Sequence, residues 1–198
     1  LGMPVIDLIN GISTDMVAAH VLVSFEQMGR RTANFLNEQV ADTGRPMRVL
    51  WLPGPLGPKW AADGNRGFQA AAYRLGFDIL QRLLGGPDVR EQMRLLTQAL
   101  PRHEHVDVVV GTAPTVEAIA ILAQQNPRYQ RTKSVAYYFS PALTPLLDNK
   151  RVLAAATDHP EIQARIAVDT AVRVLEKRAY YKWVGPRIDM LSGGRPDG

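Results

Sequence analysis

The chain has 198 residues, 46% hydrophobic and 21% charged, a balance that fits a globular protein with a substantial core. Its 23 basic and 19 acidic residues leave a formal charge of only +4, spread without a Lys/Arg run, so nucleic-acid binding is unsupported. The absence of cysteine removes disulfides, thiolate metal sites and cysteine nucleophiles, and no run of about 18 apolar residues is available to cross a membrane.

Residues 3–9 form a short apolar run ending at Asn10 and Gly11, which reads as a strand and a turn. Residues 20–23 read as a second strand, and residues 25–40 as a helix with Met28, Thr32, Phe35 and Leu36 on one face. Gly44 and Pro46 break it. Residues 48–52 are continuously apolar, the pattern of a strand covered on both faces of a parallel sheet. The loop 53–58 holds three prolines, which remove amide donors and fix backbone angles. A helix over 60–75 is closed by Gly76, and a strand over 77–80 precedes a helix over 89–100.

Residues 106–110 give the clearest parallel strand, followed by a helix over 115–124 with Pro114 and Glu117 at its start. A strand over 134–139, a short helix over 141–149, a strand over 151–157 and a long helix over 160–177 follow. The last carries a wide apolar stripe through Ile162, Ile166, Val168, Ala171, Val172 and Leu175. Residues 187–191 read as a final strand. This alternation predicts an α/β architecture built on a doubly wound parallel sheet, with its ligand crevice beyond the carboxyl ends of the strands.

No nucleophile elbow, phosphate loop, metalloprotease helix or dinucleotide fingerprint is present. Ser140, Asp158 and His159 cluster at strand ends, but nothing in the sequence sets Ser140 against a base. His103 and His105, two residues apart, read as a solvated loop rather than a zinc pair. No metal or cofactor is expected, and the sequence points to a binder rather than an enzyme.

The order of elements resembles the type I periplasmic binding proteins. Several stretches are similar to the TorT-like periplasmic sensors: residues 4–10, 25–29, 52–55, 67–71, 106–113, the pair Glu117 and Ala118, and 152–158. The resemblance implies a periplasmic location and a small-molecule ligand such as trimethylamine N-oxide (TMAO) or a similar methylated amine. It also implies signalling to the periplasmic domain of a sensor histidine kinase. The alternative is a transporter-linked receptor for sugars or other small solutes on the same fold. The resemblance further implies a chain lacking a signal peptide and most of a first lobe. Residues 12–150 and 184–198 would form the second lobe, and 1–11 and 151–183 the remaining strand, crossover and helix of the first.

Sugar-binding relatives carry hydrogen-bonding side chains at the loop ends. Here the resemblance puts Ala113 where they place Asn, and Tyr138 where they place Asp. Phe25 stands where a TorT-like chain would have Trp. A pocket of Phe25, Trp60, Ala113, Tyr138 and Asp158 would be aromatic and poor in hydrogen-bonding groups, suited to a methylated nitrogen held over ring faces. The bland readings stand beside this one. Phe25 can be core, and Trp60 can staple its helix rather than line a cleft. Asp158 can bind ligand or serve as the N-cap before Pro160. Tyr137 should point away and pack, and Trp51 should be core.

Overall fold

A computed structural model describes residues 3–12, 14–40 and 44–193. It divides into two compact units. The chain up to Ser24 joins Asp158–Asp189, and Phe25–Thr157 joins the chain from Met190 on.

The larger unit is a six-stranded sheet in the order β4-β3-β5-β6-β7-β9, made of β3 (Arg48–Gly54), β4 (Asp78–Leu84), β5 (Val108–Gly111), β6 (Lys133–Ala136), β7 (Ala154–Thr157) and β9 (Asp189–Ser192). The pairs β3–β4, β3–β5, β5–β6 and β6–β7 are all parallel. Because successive side chains leave opposite faces of a strand, an unbroken apolar run serves two cores at once. Val49, Trp51, Val108 and Val110 face one core, with Leu36 of α1 (Phe25–Val40) and Phe68 of α2 (Lys59–Arg74). Leu50, Leu52 and Val109 face the other, with Leu96 of α3 (Val89–Ala99) and Ile119 of α4 (Ala113–Gln125). The short helix α5 (Thr144–Asp148) follows β6. The doubly wound α/β reading thus holds.

Gly29 and Gly67 let α1 and α2 approach closely, and Gly64 lets α2 lie against Tyr137. A Cβ on Gly67 would land on the Glu26 carbonyl, one on Gly29 would strike the Gly64 carbonyl, and one on Gly64 would enter the Tyr137 ring. At the opposite corner Asp107 ties two strand starts together. Its carboxylate accepts from the Arg48 backbone N–H at 2.8 Å and from Arg45 Nη1 and Nη2 at 2.8 Å each.

The smaller unit has a three-stranded parallel sheet, β1 (Ile6–Leu8), β2 (Ala19–Val21) and β8 (Trp183–Val184), in the order β1-β2-β8, packed against α6 (Pro160–Leu175). Lys182, just before β8, donates to the Val17 carbonyl and joins the two ends of this unit. Within it His20 is buried, bonded through Nδ1 to Asp7 at 2.8 Å and stacked on Trp183 at a centroid distance of 3.8 Å.

Two expectations need correction. The boundaries 12–150 with 184–198 and 1–11 with 151–183 shift. Residues 14–24 lie with β1, because β2 pairs with it, whereas 151–157 lie in the larger unit, because β7 pairs with β6. The apolar stripe of α6 is also largely uncovered, with Val168 67% and Leu175 70% exposed. The residues that α6 buries are Gln163 and Thr170. The two-residue strand β8 was not expected at all.

Candidate functional site

The carboxyl ends of the central strands gather aromatic rings. Strand β3 ends at Pro53 and Gly54, whose φ of 107° favours glycine. A Cβ there would sit 2.8 Å from Cη2 of Trp60, so the indole of this second residue of α2 lies directly on the Gly54 backbone. Phe25, the first residue of α1, meets Trp60 at a centroid distance of 5.9 Å with an interplanar angle of 49°. Tyr138, just past β6, meets the same indole edge-on at 5.8 Å and 89°. All three rings are half-buried, and both distances fall in the range where aromatic pairs attract.

Beneath them lies a packed support. Tyr137 is fully buried 6.5 Å from Trp60, and its hydroxyl donates to the Pro53 carbonyl at 2.6 Å. Trp51 contacts Tyr137 at 5.2 Å and stacks on Phe68 at 4.2 Å, while its Nε1 donates to Asn65 Oδ1 at 2.8 Å. Trp51 and Tyr137 are core, as their strand register requires.

The polar groups nearby are mostly committed. Thr115 Oγ1 donates to Gln92 Oε1 at 2.8 Å, and Gln92 Nε2 donates to the Gly86 carbonyl at 2.7 Å. With its proton so used, Thr115 Oγ1 accepts from Thr112 Oγ1 at 2.9 Å. Burial raises the Tyr138 hydroxyl pKa above its ordinary value; hydrogen bonding with Thr112 opposes this, and the Glu117 charge adds to it. Burial likewise raises the Glu117 carboxyl. Asp63 behaves differently. Burial disfavours its charge, yet Lys59 and Arg66 hold its carboxyl below the usual range.

The five sequence candidates therefore divide. Phe25, Trp60 and Tyr138 come together, with Trp60 as the shared neighbour. Ala113 does not offer a side chain to a ligand. It is 1% exposed and packs among Val116, Ala136 and Leu143. Asp158 belongs to the smaller unit and is 8% exposed. Its N-cap reading is corrected: His159 takes that position at φ 50°, ψ 66°, and the Asp158 carboxylate instead accepts from Gln163 Nε2 at 2.7 Å. His159 pairs with Asp189 at 2.8 Å. His105 binds Asp107 at 2.7 Å and His103 approaches Gln81 at 3.4 Å; among the described residues no group of three or more metal-ligating side chains forms. Glu117 enters the sequence reading as a helix-start residue and, with Ala118, as part of the family resemblance, not as a site residue. Its position four residues after Ala113, on the same helical face, is the signal that marks it as part of this neighbourhood.

Grooves also lie elsewhere, two of them the following. One of about 560 Å³ runs past Arg131, Lys133, Lys150 and Arg151 at the amino ends of β6 and β7, and one of about 740 Å³ runs along Arg165, Asp169 and Tyr181 in the smaller unit. Among the described residues no helix is long and apolar enough to cross a membrane.

No protein-family model matches the chain. Over 195 residues it is 33% identical to the periplasmic protein TorT of Escherichia coli K12, covering 98% of this chain and 56% of TorT. A solved ABC-transporter solute-binding protein from Bradyrhizobium sp. BTAi1, with bound Bis-Tris, matches at 36% identity and a TM-score of 0.87, over 96% of this chain and 57% of that one. TorT in complex with the TorS sensor domain, without ligand, matches at 23% identity and a TM-score of 0.87, over 96% of this chain and 65% of TorT, which speaks for the fold. The chain spans little more than half the length of these relatives. It is a homologue of TorT, built on the periplasmic binding protein type I-like fold.

Proposed function

We propose that this chain is the ligand-holding part of a periplasmic sensor protein of TorT type. It captures a small methylated amine, with TMAO as the leading candidate, and reports capture to a membrane histidine kinase without turning the ligand over. The observation that carries this reading is the ring cluster of Phe25, Trp60 and Tyr138 at the strand ends, where sugar receptors need polar side chains. Ring faces stabilise a methylated ammonium by about 0.5–2 kcal/mol each. Further support comes from the relatives, which are binding proteins rather than enzymes, and from the TorS–TorT complex solved in the presence of TMAO. The smaller unit is read as part of a first lobe, and the larger unit as the second; closure of such lobes over ligand is the switching motion of this kind of fold.

A second reading, a transporter-linked receptor, is favoured by the 36% identity to the Bradyrhizobium solute-binding protein. Calorimetry on the full-length protein separates the two. Binding of TMAO or a methylamine, with ligand-dependent capture of a sensor kinase periplasmic domain, is the expected result. Binding of pentoses or hexoses, with no response to methylamines, would assign the chain to transport instead.

A further inference from the structure

We propose that the groove at the amino ends of β6 and β7 is a docking site for an acidic segment of a partner protein, one in which carboxylates flank an apolar side chain. The groove is separate from the ring cluster and lies at the other end of the same sheet: Lys133 opens β6, whereas Tyr138 follows its close.

Arg131, Lys133, Lys150 and Arg151 line this groove of about 560 Å³, and its lining includes no acidic residue. The backbone that carries them is fixed from several directions. The Lys133 N–H donates to the Asp107 carbonyl at 3.0 Å, and the Thr132 N–H to the Tyr129 carbonyl at 3.1 Å. The Arg151 N–H donates to the Leu146 carbonyl at 2.9 Å and to Asn149 Oδ1 at 3.1 Å. The Leu153 N–H donates to the Ser134 carbonyl at 2.9 Å, which joins the two strand starts.

The cations themselves are uncompensated. Several arginines of the same unit meet carboxylates: Arg45 with Asp107, Arg66 with Glu26 and Arg94 with Glu91, each at 2.8 Å. Among the described residues no ion pair and no side-chain hydrogen bond reaches Arg131, Lys133, Lys150 or Arg151. The whole chain carries a formal charge of +4, so one groove concentrates as much positive charge as the molecule has in excess. Like charges gathered in this way repel one another and draw in a partner of opposite sign.

The chemistry of that partner follows from exposure and from the rest of the lining. All four cations are exposed, so each stays hydrated and a lone small anion gains little from any of them. Carboxylates joined in one chain segment act together. Ala123 and Leu153, both half-buried, also line the groove and leave apolar surface for a side chain to cover. A concave site of this make-up fits a peptide better than the flat face of a membrane.

The test is fluorescence anisotropy on the full-length protein with a labelled short peptide of alternating Glu and Leu, and with its twin in which Gln replaces every Glu. The Glu peptide should bind, and the Gln twin should bind more weakly by about tenfold or more. Affinity for the Glu peptide should fall as ionic strength rises. Lys133→Glu combined with Arg151→Glu should weaken it by about tenfold and leave the thermal midpoint unchanged, because both side chains face water. If the reversal unfolds the chain, Lys133→Gln with Arg151→Gln repeats the comparison by removing charge alone. Equal binding of the two peptides, no binding of the Glu peptide, or an unchanged affinity in a folded variant would overturn the assignment. Inorganic phosphate and phosphatidylglycerol vesicles complete the set. Displacement of the peptide by phosphate at equal charge concentration would make the groove a small-anion site. Vesicle binding by wild type that the variant loses would make it a membrane contact, and either result also overturns the docking assignment.

Discussion

The Tyr137 hydroxyl donates to the Pro53 carbonyl at 2.6 Å across 84 residues of sequence, tying the end of β6 to the end of β3. The bond is fully buried, so its loss strands a carbonyl that water cannot reach. Tyr137→Phe should therefore destabilise the protein by about 1–3 kcal/mol, the cost of leaving a buried polar group unsatisfied. Urea denaturation measures this. An unchanged midpoint would mean that the Pro53 carbonyl finds another partner.

The same ring depends on a glycine. A Cβ on Gly64 would stand within the Tyr137 ring, so Gly64→Ala forces either the ring or the helix to move. Overpacking of this kind costs about 1–3 kcal/mol. The substitution should lower the thermal midpoint and also alter near-ultraviolet circular dichroism, because Tyr137 contacts Trp51, Trp60 and Tyr138. A lowered midpoint with an unchanged aromatic spectrum would place the strain in the contact between α1 and α2 instead.

Much of this support was legible in the sequence. The runs at 48–52 and 106–110 are apolar at every strand position because both sheet faces are covered, and that pattern alone fixes Trp51 as core. Phe25, Trp60 and Tyr138 could be singled out because each follows a strand or opens a helix. Their shared contact could not, since it depends on how Gly54 admits the indole. Ala113 was misread because its strand-end position says nothing of the Val116, Ala136 and Leu143 packing that encloses it. Asp158 admits two readings from the sequence, ligand group or cap before Pro160; the cap position falls to the left-handed His159, which leaves the carboxylate to Gln163. The unit boundaries depend on strand pairings far apart in sequence, such as His20 with Trp183, which no local pattern encodes.

Asp107 should govern stability in acid. Burial disfavours its charge, but hydrogen bonds from Arg45, from the Arg48 backbone N–H and from His105 hold its carboxyl well below the ordinary carboxylate range. With the folded pKa below the unfolded value of about 3.9, the stabilisation is complete above that value. It is lost as pH falls further, toward the folded pKa. Denaturation midpoints recorded from pH 5 down to pH 2 should fall for wild type. In Asp107→Asn the fall should be shallower, from a starting stability lower by about 1–2 kcal/mol. Parallel curves for the two proteins would show that other carboxylates carry the acid sensitivity.

The uncovered stripe of α6 offers a test of the lobe assignment. Val168 is 67% exposed and Leu175 70%, and Tyr181 and Trp183 add further exposed apolar surface to the same unit. An uncovered apolar stripe on a helix of this kind usually marks a surface that another part of the fold or a partner covers. If the smaller unit belongs to a first lobe, the rest of that lobe packs here in the full-length protein. Replacing both Val168 and Leu175 by Glu should then leave the stability of the 198-residue chain nearly unchanged, because the new charges face water. In the full-length protein the same pair should cost about 3 kcal/mol or more, as two unpaired charges are forced into an apolar contact. Urea denaturation of both chains gives the answer directly. Equal, small effects in the two would leave the stripe exposed in the whole protein, and would turn it from an internal lobe surface into a candidate docking face.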